Sequence, residues 1–268
     1  MIYVFISLGA VALVCLIILF LVFPGRHGVP FDEKMRFAHR GLFGGEIPEN
    51  SLSAFKRAVE NKIAVEFDVH LTQDDKLIVF HDDDLKRMCG VDKLTDKCTY
   101  DELSALRLAG TEEKIPTFEE VLDVIGGKVP ILLEIKQSKA GRNAETCRAV
   151  AEVLKQYNGK YVIESFNPMI LSTMRKLLPD VSYGQLSGGI KNASHGVAGA
   201  ILGFLLSNLL FNFISRPDFV AYNINNDKNV MFRLVRALGV PCYMWTVRDE
   251  QAHIKAEKYD GEIFETYN

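Results

Sequence analysis

The chain has 268 residues, 48% of them hydrophobic, a net charge of -3 and a pI near 6.1, which is enough for one large domain with a full core. That charge balance gives no basis for nucleic-acid binding. Five cysteines (Cys15, Cys89, Cys98, Cys147, Cys242), an odd number with no Cys-x-x-Cys pair, argue against a disulfide framework or a zinc site and fit a reducing compartment.

The first element runs from Ile2 to Phe23, 22 residues without a charge, long enough at roughly 1.5 Å per residue to cross a hydrocarbon layer of about 30 Å. No basic leader precedes it, and Phe23-Pro24-Gly25 replaces a small-residue cleavage site, so it reads as a single transmembrane anchor rather than a cleaved signal. Arg26, Lys34 and Arg36 follow the span, which places the rest of the chain on the cytoplasmic side. The expected organisation is an anchor over 1–24, a linker over 25–34 and one domain over 35–268.

Within that domain, β-rich runs alternate with helical ones. Strands are expected at Met35–His39, Ala64–His70, Pro130–Lys136, Tyr161–Phe166, Val181–Leu186, Phe219–Ile224, Pro241–Val247 and Glu262–Thr266. Helices are expected at Ser51–Asn61, Thr117–Ile125, Ala144–Tyr157, Pro168–Leu178 and Asn229–Leu238, with Ser51 as an N-cap and Gly239 at a helix C-terminus. Eight strands in alternation with helices predict a (β/α)8 TIM barrel.

Two segments stand outside this count. Leu77–Phe80 is a further β-like run, and a two-residue turn at Asp74-Asp75 would pair Gln73 with Lys76 and Asp68 with His81. Val197 to Ile214 is an 18-residue stretch without a charge. A crossing there would put the halves of one barrel on opposite sides of a bilayer, so it is expected to be an in-plane membrane helix or lid beside the barrel mouth, in preference to an outer helix covered by a neighbouring subunit. Asn208, Asn212 and Ser215 then form a polar stripe along that helix.

In a TIM barrel the chemistry gathers at the C-terminal ends of the strands. There the sequence puts His39-Arg40, Glu66 and Asp68, Glu134 and Lys136, and Trp245. Residues two apart on a strand share a face, so Glu66 pairs with Asp68, and Glu134 with Lys136. Two histidines, three carboxylates and two cations suit metal-assisted hydrolysis of an anionic phosphate ester. Hard oxygen donors favour Mg²⁺ or Ca²⁺. His27, His70, His195 and His253 have no partners in this pattern and read as surface or packing residues.

The motifs His39-Arg40-Gly41, Pro48-Glu49-Asn50-Ser51, Glu66-Phe-Asp68-Val69, His81-Asp82 with Leu85 and Arg87, Ile115 to Glu120, Glu134-Ile-Lys136, Ser165-Phe166 and Trp245-Thr246-Val247 resemble, in order, the glycerophosphodiester phosphodiesterase family. The resemblance implies a TIM barrel with a small insertion, here about 82–114, and metal-dependent hydrolysis of glycerophosphodiesters to glycerol 3-phosphate and an alcohol. It also implies an acid/base pair in His39 and His81, divalent-metal ligands in Glu66, Asp68 and Glu134, phosphate contacts from Arg40 and Lys136, and a pocket wall at Trp245. Glu49 and Asp82 read as supporting rather than ligating residues. The resemblance leaves open whether water or a neighbouring glycerol hydroxyl attacks first. A lysophospholipase D-type activity on membrane lysolipids is the nearest alternative, and a silent barrel that binds lipid head groups is a second. Arg248 stands where asparagine is common, and Glu262 to Thr266 stands where relatives show a threonine–aspartate ending and a closing helix.

Overall fold

The computed structural model describes residues 2–25, 27–31, 34–189 and 196–265. Among these residues nine strands form one sheet: β1 (Met35–His39), β2 (Ala64–Leu71), β3 (Leu77–Val79), β4 (Ile131–Ile135), β5 (Tyr161–Ser165), β6 (Tyr183–Ser187), β7 (Phe219–Asn223), β8 (Cys242–Val247) and β9 (Gly261–Phe264). All but β3 run parallel in the order β1-β9-β8-β7-β6-β5-β4-β2, and β1 pairs again with β2. The sheet therefore closes into the expected eight-stranded parallel barrel. Thr266, placed in the last strand by the sequence, and His195 lie outside the described residues.

Strand alternation carries the core into the site. Phe37, Ala64, Leu132, Val162, Leu186, Phe219, Ala221, Tyr243 and Ile263 pack as one buried cluster. Two residues further along their strands stand His39, Glu66, Glu134, Glu164, Trp245 and Glu265. A period of two keeps all of these on the inner face, so the apolar floor fixes the positions of the polar groups above it. Gly184 allows this packing, since a Cβ there would sit 2.0 Å from the Phe219 ring.

The intervening helices follow from their caps. Ser51 accepts a hydrogen bond from the Ala54 amide at the start of helix Leu52–Glu60, and Thr117 forms a capping box with Glu120 ahead of Phe118–Ile125. Asn143–Leu154, Pro168–Leu177 and Val230–Ala237 complete the expected set, and Gly239 ends the last of them at φ 83°. A further helix, Glu250–Ala256, starts at Asp249, whose carboxylate accepts from the Ala252 amide at 2.7 Å. It is only seven residues long and has little apolar periodicity, so it is silent in the pattern. Residues after β3 contain two short helices, Lys86–Cys89 and Tyr100–Ser104, over a small core that includes Ile78, Phe80, Leu85 and Leu103.

The β2–β3 hairpin forms in a register one residue away from the expected one. Val69, His70 and Leu71 pair with Val79, Ile78 and Leu77, which leaves a three-residue loop, Gln73 to Asp75, with Asp75 at φ 65°. The Thr72 hydroxyl selects that loop, accepting from the Lys76 amide at 2.9 Å and donating to Asp74 at 2.7 Å. Asp68 consequently faces Phe80, whose amide donates to its carbonyl at 3.0 Å.

The segment from 197 to 214 is also corrected in part. It is two helices, Gly196–Ser207 and Asn212–Ser215, broken at Leu209, whose φ is 57°. The polar stripe therefore does not run along one helix. Asn208 meets Asn229 at 3.1 Å, whereas Ser215 is buried against Gln185 at 3.1 Å.

The N-terminal helix Ile2–Val22 is long and apolar enough to cross a membrane, with a mean hydropathy of 3.1 over Phe5–Val22. Its C-terminal end rests on the barrel. The Arg216 guanidinium donates to the carbonyls of Phe20 (2.9 Å) and Phe23 (3.1 Å) and covers the Phe20 ring.

Candidate active site

The turn after β1 sets the first part of the site. Arg40 and Gly41 adopt φ of 57° and 80°, and a Cβ at Gly41 would stand 2.9 Å from the Ala54 Cβ, so glycine is required there. The turn points the Arg40 amide at Glu66 Oε2, 3.0 Å away.

Glu66, Asp68 and Glu134 then converge. Each is at most 7% exposed, and their ligand oxygens lie within 4.8 Å of one another. Lys136 Nζ lies 3.0 Å from Asp68 and 3.1 Å from Glu134, and Asn50 Nδ2 donates to Asp68 at 3.2 Å. Burial and the neighbouring carboxylates push Glu66 upward, and burial, opposed by Lys136, raises Glu134. Burial would raise Asp68 too, but Lys136, the two histidines and Arg40 outweigh it and hold that carboxyl well below its usual range. Packed acidic groups with one buried ammonium among them carry an unfavourable self-energy that a hard divalent cation offsets. Among the described residues this is the one group of three such side chains suited to a metal, and it consists of oxygen donors alone.

The two imidazoles flank it. Their rings are 6.4 Å apart at 78°, and both line a cavity of about 180 Å³ together with Arg40, Glu66, Glu134, Glu164, Phe166 and Trp245. His39 Nδ1 is 2.9 Å from Glu265, and His81 Nδ1 is 2.6 Å from Asp82. A carboxylate only accepts, so each Nδ1 carries hydrogen and each Nε2 is left for chemistry; His39 Nε2 stands 3.9 Å from Glu66. Burial, more than the opposing Glu265 bond, lowers the His39 pKa. Burial pushes Glu265 up, yet its bonds from His39 and Arg248 bring it down to about 2.

Glu49 and Asp82 are joined by Arg87. Its guanidinium donates to Asp82 at 2.6 Å and to Glu49 at 2.5 Å, and Glu49 accepts from Arg40 at 2.8 Å. This chain of charge-assisted bonds ties His81 to Arg40 across the mouth. Below it, buried His70 reaches the His81 carbonyl at 3.4 Å, and burial lowers its pKa to about 4. Trp245 Nε1 and Arg40 Nε are buried donors with no hydrogen-bond partner among the described residues.

A sequence profile of the glycerophosphoryl diester phosphodiesterase family matches residues 39–262. The chain belongs to that family. It is therefore a phosphodiester-cleaving enzyme. A glycerophosphodiester phosphodiesterase of Caldanaerobacter subterraneus is 30% identical over 241 residues, 84% of this chain and 91% of that protein. The human lysophospholipase D GDPD1 is 31% identical over 148 residues, 48% of this chain and 45% of that protein. A phosphodiesterase of Oleispira antarctica, solved with the product sn-glycerol-3-phosphate, shares the fold at TM-score 0.70 and 27% identity, covering 86% of this chain and 92% of that one.

Three site residues escape the sequence reading. Glu164 is 1% exposed at the cavity, with its Oε2 unpartnered among the described residues; burial and the nearby carboxylates raise its pKa well above normal. Its signal is one carboxylate inside the apolar run Tyr161–Ser165. Glu265 is the partner of His39, and Arg248, noted only as a departure from the family pattern, braces Glu265 at 2.7 Å.

Proposed function

We propose that the enzyme hydrolyses glycerophosphodiesters to glycerol 3-phosphate and an alcohol, with a divalent cation held by Glu66, Asp68 and Glu134 and with His39 and His81 as the acid/base pair. The observation that carries this reading is the convergence of three buried carboxylates, from β2 and β4, beside two imidazoles whose Nδ1 atoms are each engaged by a carboxylate.

When bound, the cation supplies positive charge against phosphate oxygens that become more negative during attack. One neutral imidazole takes the proton of the attacking oxygen at Nε2, and the other, protonated, gives its proton to the departing alkoxide. Glu265 and Asp82 hold the two rings in the tautomer this needs. Lys136 favours the ionised form of Asp68, holds Glu134 beside it, and with Arg40 balances the charge of the phosphate. The free Nε–H of Arg40 and Nε1–H of Trp245 are donors for phosphate or glycerol oxygens, and the perpendicular Phe166–Trp245 pair, 5.7 Å apart, shields one wall from water. The domain over 35–268 is read as tethered at the cytoplasmic face of a membrane by a single span over 1–24. The complete set of ligands and imidazoles favours this over a silent binding barrel.

A coupled assay of glycerol 3-phosphate release from glycerophosphocholine, glycerophosphoethanolamine and glycerophosphoglycerol tests the reading. Turnover is expected to stop on chelation, to return with Mg²⁺ or Ca²⁺, and to fall by about 10² to 10⁴ in His39→Ala. Activity that survives chelation removes the metal assignment, and unchanged turnover in His39→Ala removes the acid/base assignment.

A further inference from the structure

Glu164 lines the catalytic cavity from β5 and has no task in the chemistry described above. The three other buried acids there all have partners: Glu66 accepts from the Arg40 amide at 3.0 Å, and Asp68 and Glu134 pair with Lys136 at 3.0 and 3.1 Å. Glu164 Oε2 has none among the described residues. Nor does Glu164 join the oxygens within 4.8 Å of one another that Glu66, Asp68 and Glu134 bring together. A buried carboxyl oxygen without a donor costs stability, and the group that fills the cavity is where a donor can come from. An ionised phosphodiester offers only acceptor oxygens, so this carboxyl does nothing for it. The donors on a glycerol phosphate unit are the glycerol hydroxyls. The position agrees with that pairing. Leu186 and Ile263, which line the same cavity, belong to the apolar cluster that fills the barrel beneath it, and Glu164 stands two residues after Val162 of that cluster. Glu164 is thus at the inner end of a cavity of about 180 Å³. His81 lines both this cavity and a second, polar cleft of about 410 Å³ that includes Asp83, Lys139 and Asn167. That cleft gives the head group room, which leaves the inner end to the glycerol.

We propose that Glu164 is a specificity-determining residue, its carboxyl accepting a hydrogen bond from a glycerol hydroxyl of the bound substrate. The proposal rests on the hydrolase reading above and adds to it a substrate contact on β5. Trp245 Nε1, a second buried group of the same cavity without a partner among the described residues, is a donor. A hydroxyl both donates and accepts, so one acceptor and one donor facing a cavity recognise it, where two donors would favour another phosphate oxygen. A carboxyl oxygen accepts with or without a proton on the group, so the contact requires no particular charge state. The same contact rejects substrates that lack the hydroxyl, because they leave Glu164 buried and unpaired. Leu186 and Ile263 beside it offer no substitute donor.

The test uses the full chain with Mg²⁺ or Ca²⁺ and compares choline release from glycerophosphocholine with release from its 3-hydroxypropyl and 2-hydroxypropyl analogues, each lacking one hydroxyl. The wild-type enzyme is expected to favour glycerophosphocholine over at least one analogue by about tenfold to a hundredfold in kcat/KM, the worth of a hydrogen bond to a carboxylate. Glu164→Leu is expected to bring that ratio within about threefold of unity, and Glu164→Gln, which keeps an acceptor oxygen, to retain most of it. Leucine replaces an unpaired acid beside Leu186 and Ile263, so the Tm of Glu164→Leu is expected to equal or exceed that of the wild-type protein. Equal turnover of all three substrates by the wild-type enzyme, or an unchanged ratio in Glu164→Leu, overturns the contact and leaves the hydrolase reading standing. A loss shared equally by the three substrates, with a raised cation concentration for half-maximal activity, assigns Glu164 to the cation and likewise overturns it. Failure of the wild-type enzyme on glycerophosphocholine brings down the hydrolase reading and the contact with it.

Discussion

Strands β2, β4 and β5 end in Glu66, Asp68, Glu134 and Glu164, none more than 7% exposed, whereas the segment joining β6 to β7 leaves Val197 77% and Phe204 61% exposed. The two sectors of one barrel mouth therefore invert the usual rule, with carboxylates inside and large apolar groups outside. Each inversion costs stability unless something compensates. In the charged sector much of the compensation is on the page: Lys136 sits between Asp68 and Glu134, Arg40 and Arg87 share Glu49, and Asn50 and the Arg40 amide donate to Asp68 and Glu66, while Glu164 Oε2 has no partner among the described residues. In the apolar sector the protein supplies only the wall of a groove between Pro168 and Ile214. The charged sector is cross-linked by ion pairs that share partners, the apolar one by separate neutral hydrogen bonds such as Asn229 to Asn208 and Ser215 to Gln185, and the two respond differently to substitution.

The largest effect is expected at Asp68. Asp68→Ala removes a ligand and leaves the Lys136 ammonium with Glu134 as its one remaining carboxylate among the described residues, so glycerol 3-phosphate release should fall by at least about a thousandfold, equivalent to about 4 kcal/mol. Stability should fall by about 3–5 kcal/mol, the range for breaking a buried pair. Thermal denaturation with added Mg²⁺ or Ca²⁺ checks the assignment directly: the cation should raise the Tm of the wild-type protein and not that of the variant. A variant that is equally stabilised would show that the carboxylates are not the ligands.

A second test concerns pH. His70 has its pKa lowered from 6.5 to about 4 in the fold by burial, with the Lys136 charge adding to it. Above pH 6.5 the ring is neutral in both folded and unfolded chains and contributes no pH dependence. Between about 6.5 and 4 the unfolded chain takes up a proton that the fold excludes, so stability falls as pH falls, by up to about 3 kcal/mol for this group. His70→Gln keeps a donor near the His81 carbonyl and removes the titration. Denaturant unfolding at pH 7 and pH 4.5 should show a smaller acid loss for the variant, and equal losses would refute the assignment.

Much of the charged sector was legible because a strand has a period of two. Once Glu66–Asp68 and Glu134–Lys136 were set on strands, their common face followed. The position of His81 did not follow in the same way, since a threonine hydroxyl at 72 selects a three-residue loop and shifts the register by one. Glu164 was missed because one glutamate in Tyr161–Ser165 looks like ordinary alternation. Glu265 was missed because its partner, His39, is at the other end of the chain. In the apolar sector, length and lack of charge were readable, but the break at Leu209 was not. A leucine in the left-handed region is set by tertiary packing and leaves no local signature.

An intermediate effect is expected from the support of His39. Glu265→Gln leaves the carboxylate trio untouched and removes a negative charge that raises the His39 pKa. The limb of the kcat/KM pH profile governed by His39 should move to lower pH, and kcat/KM at its optimum should fall roughly tenfold to a hundredfold, as when an orienting partner of a functional imidazole is lost. A drop without a pH displacement would mean that Glu265 supports the fold alone.

The smallest effect is expected where the apolar sector meets the N-terminal helix. Arg216 donates to the Phe20 and Phe23 carbonyls and covers the Phe20 ring, while the Gly25 amide donates to the Pro217 carbonyl at 2.7 Å. These bonds hold the helix end and contribute nothing to the cross-linking of the mouth. Arg216→Ala should therefore leave glycerophosphocholine turnover and barrel stability nearly unchanged. It should accelerate proteolytic cleavage between Phe23 and Phe31 about fivefold to tenfold, the equivalent of about 1 kcal/mol of local stability. If the variant instead lowers turnover as strongly as Glu265→Gln does, the apolar sector is coupled to the charged one through Phe213 and Phe211, and the distinction between the two sectors fails.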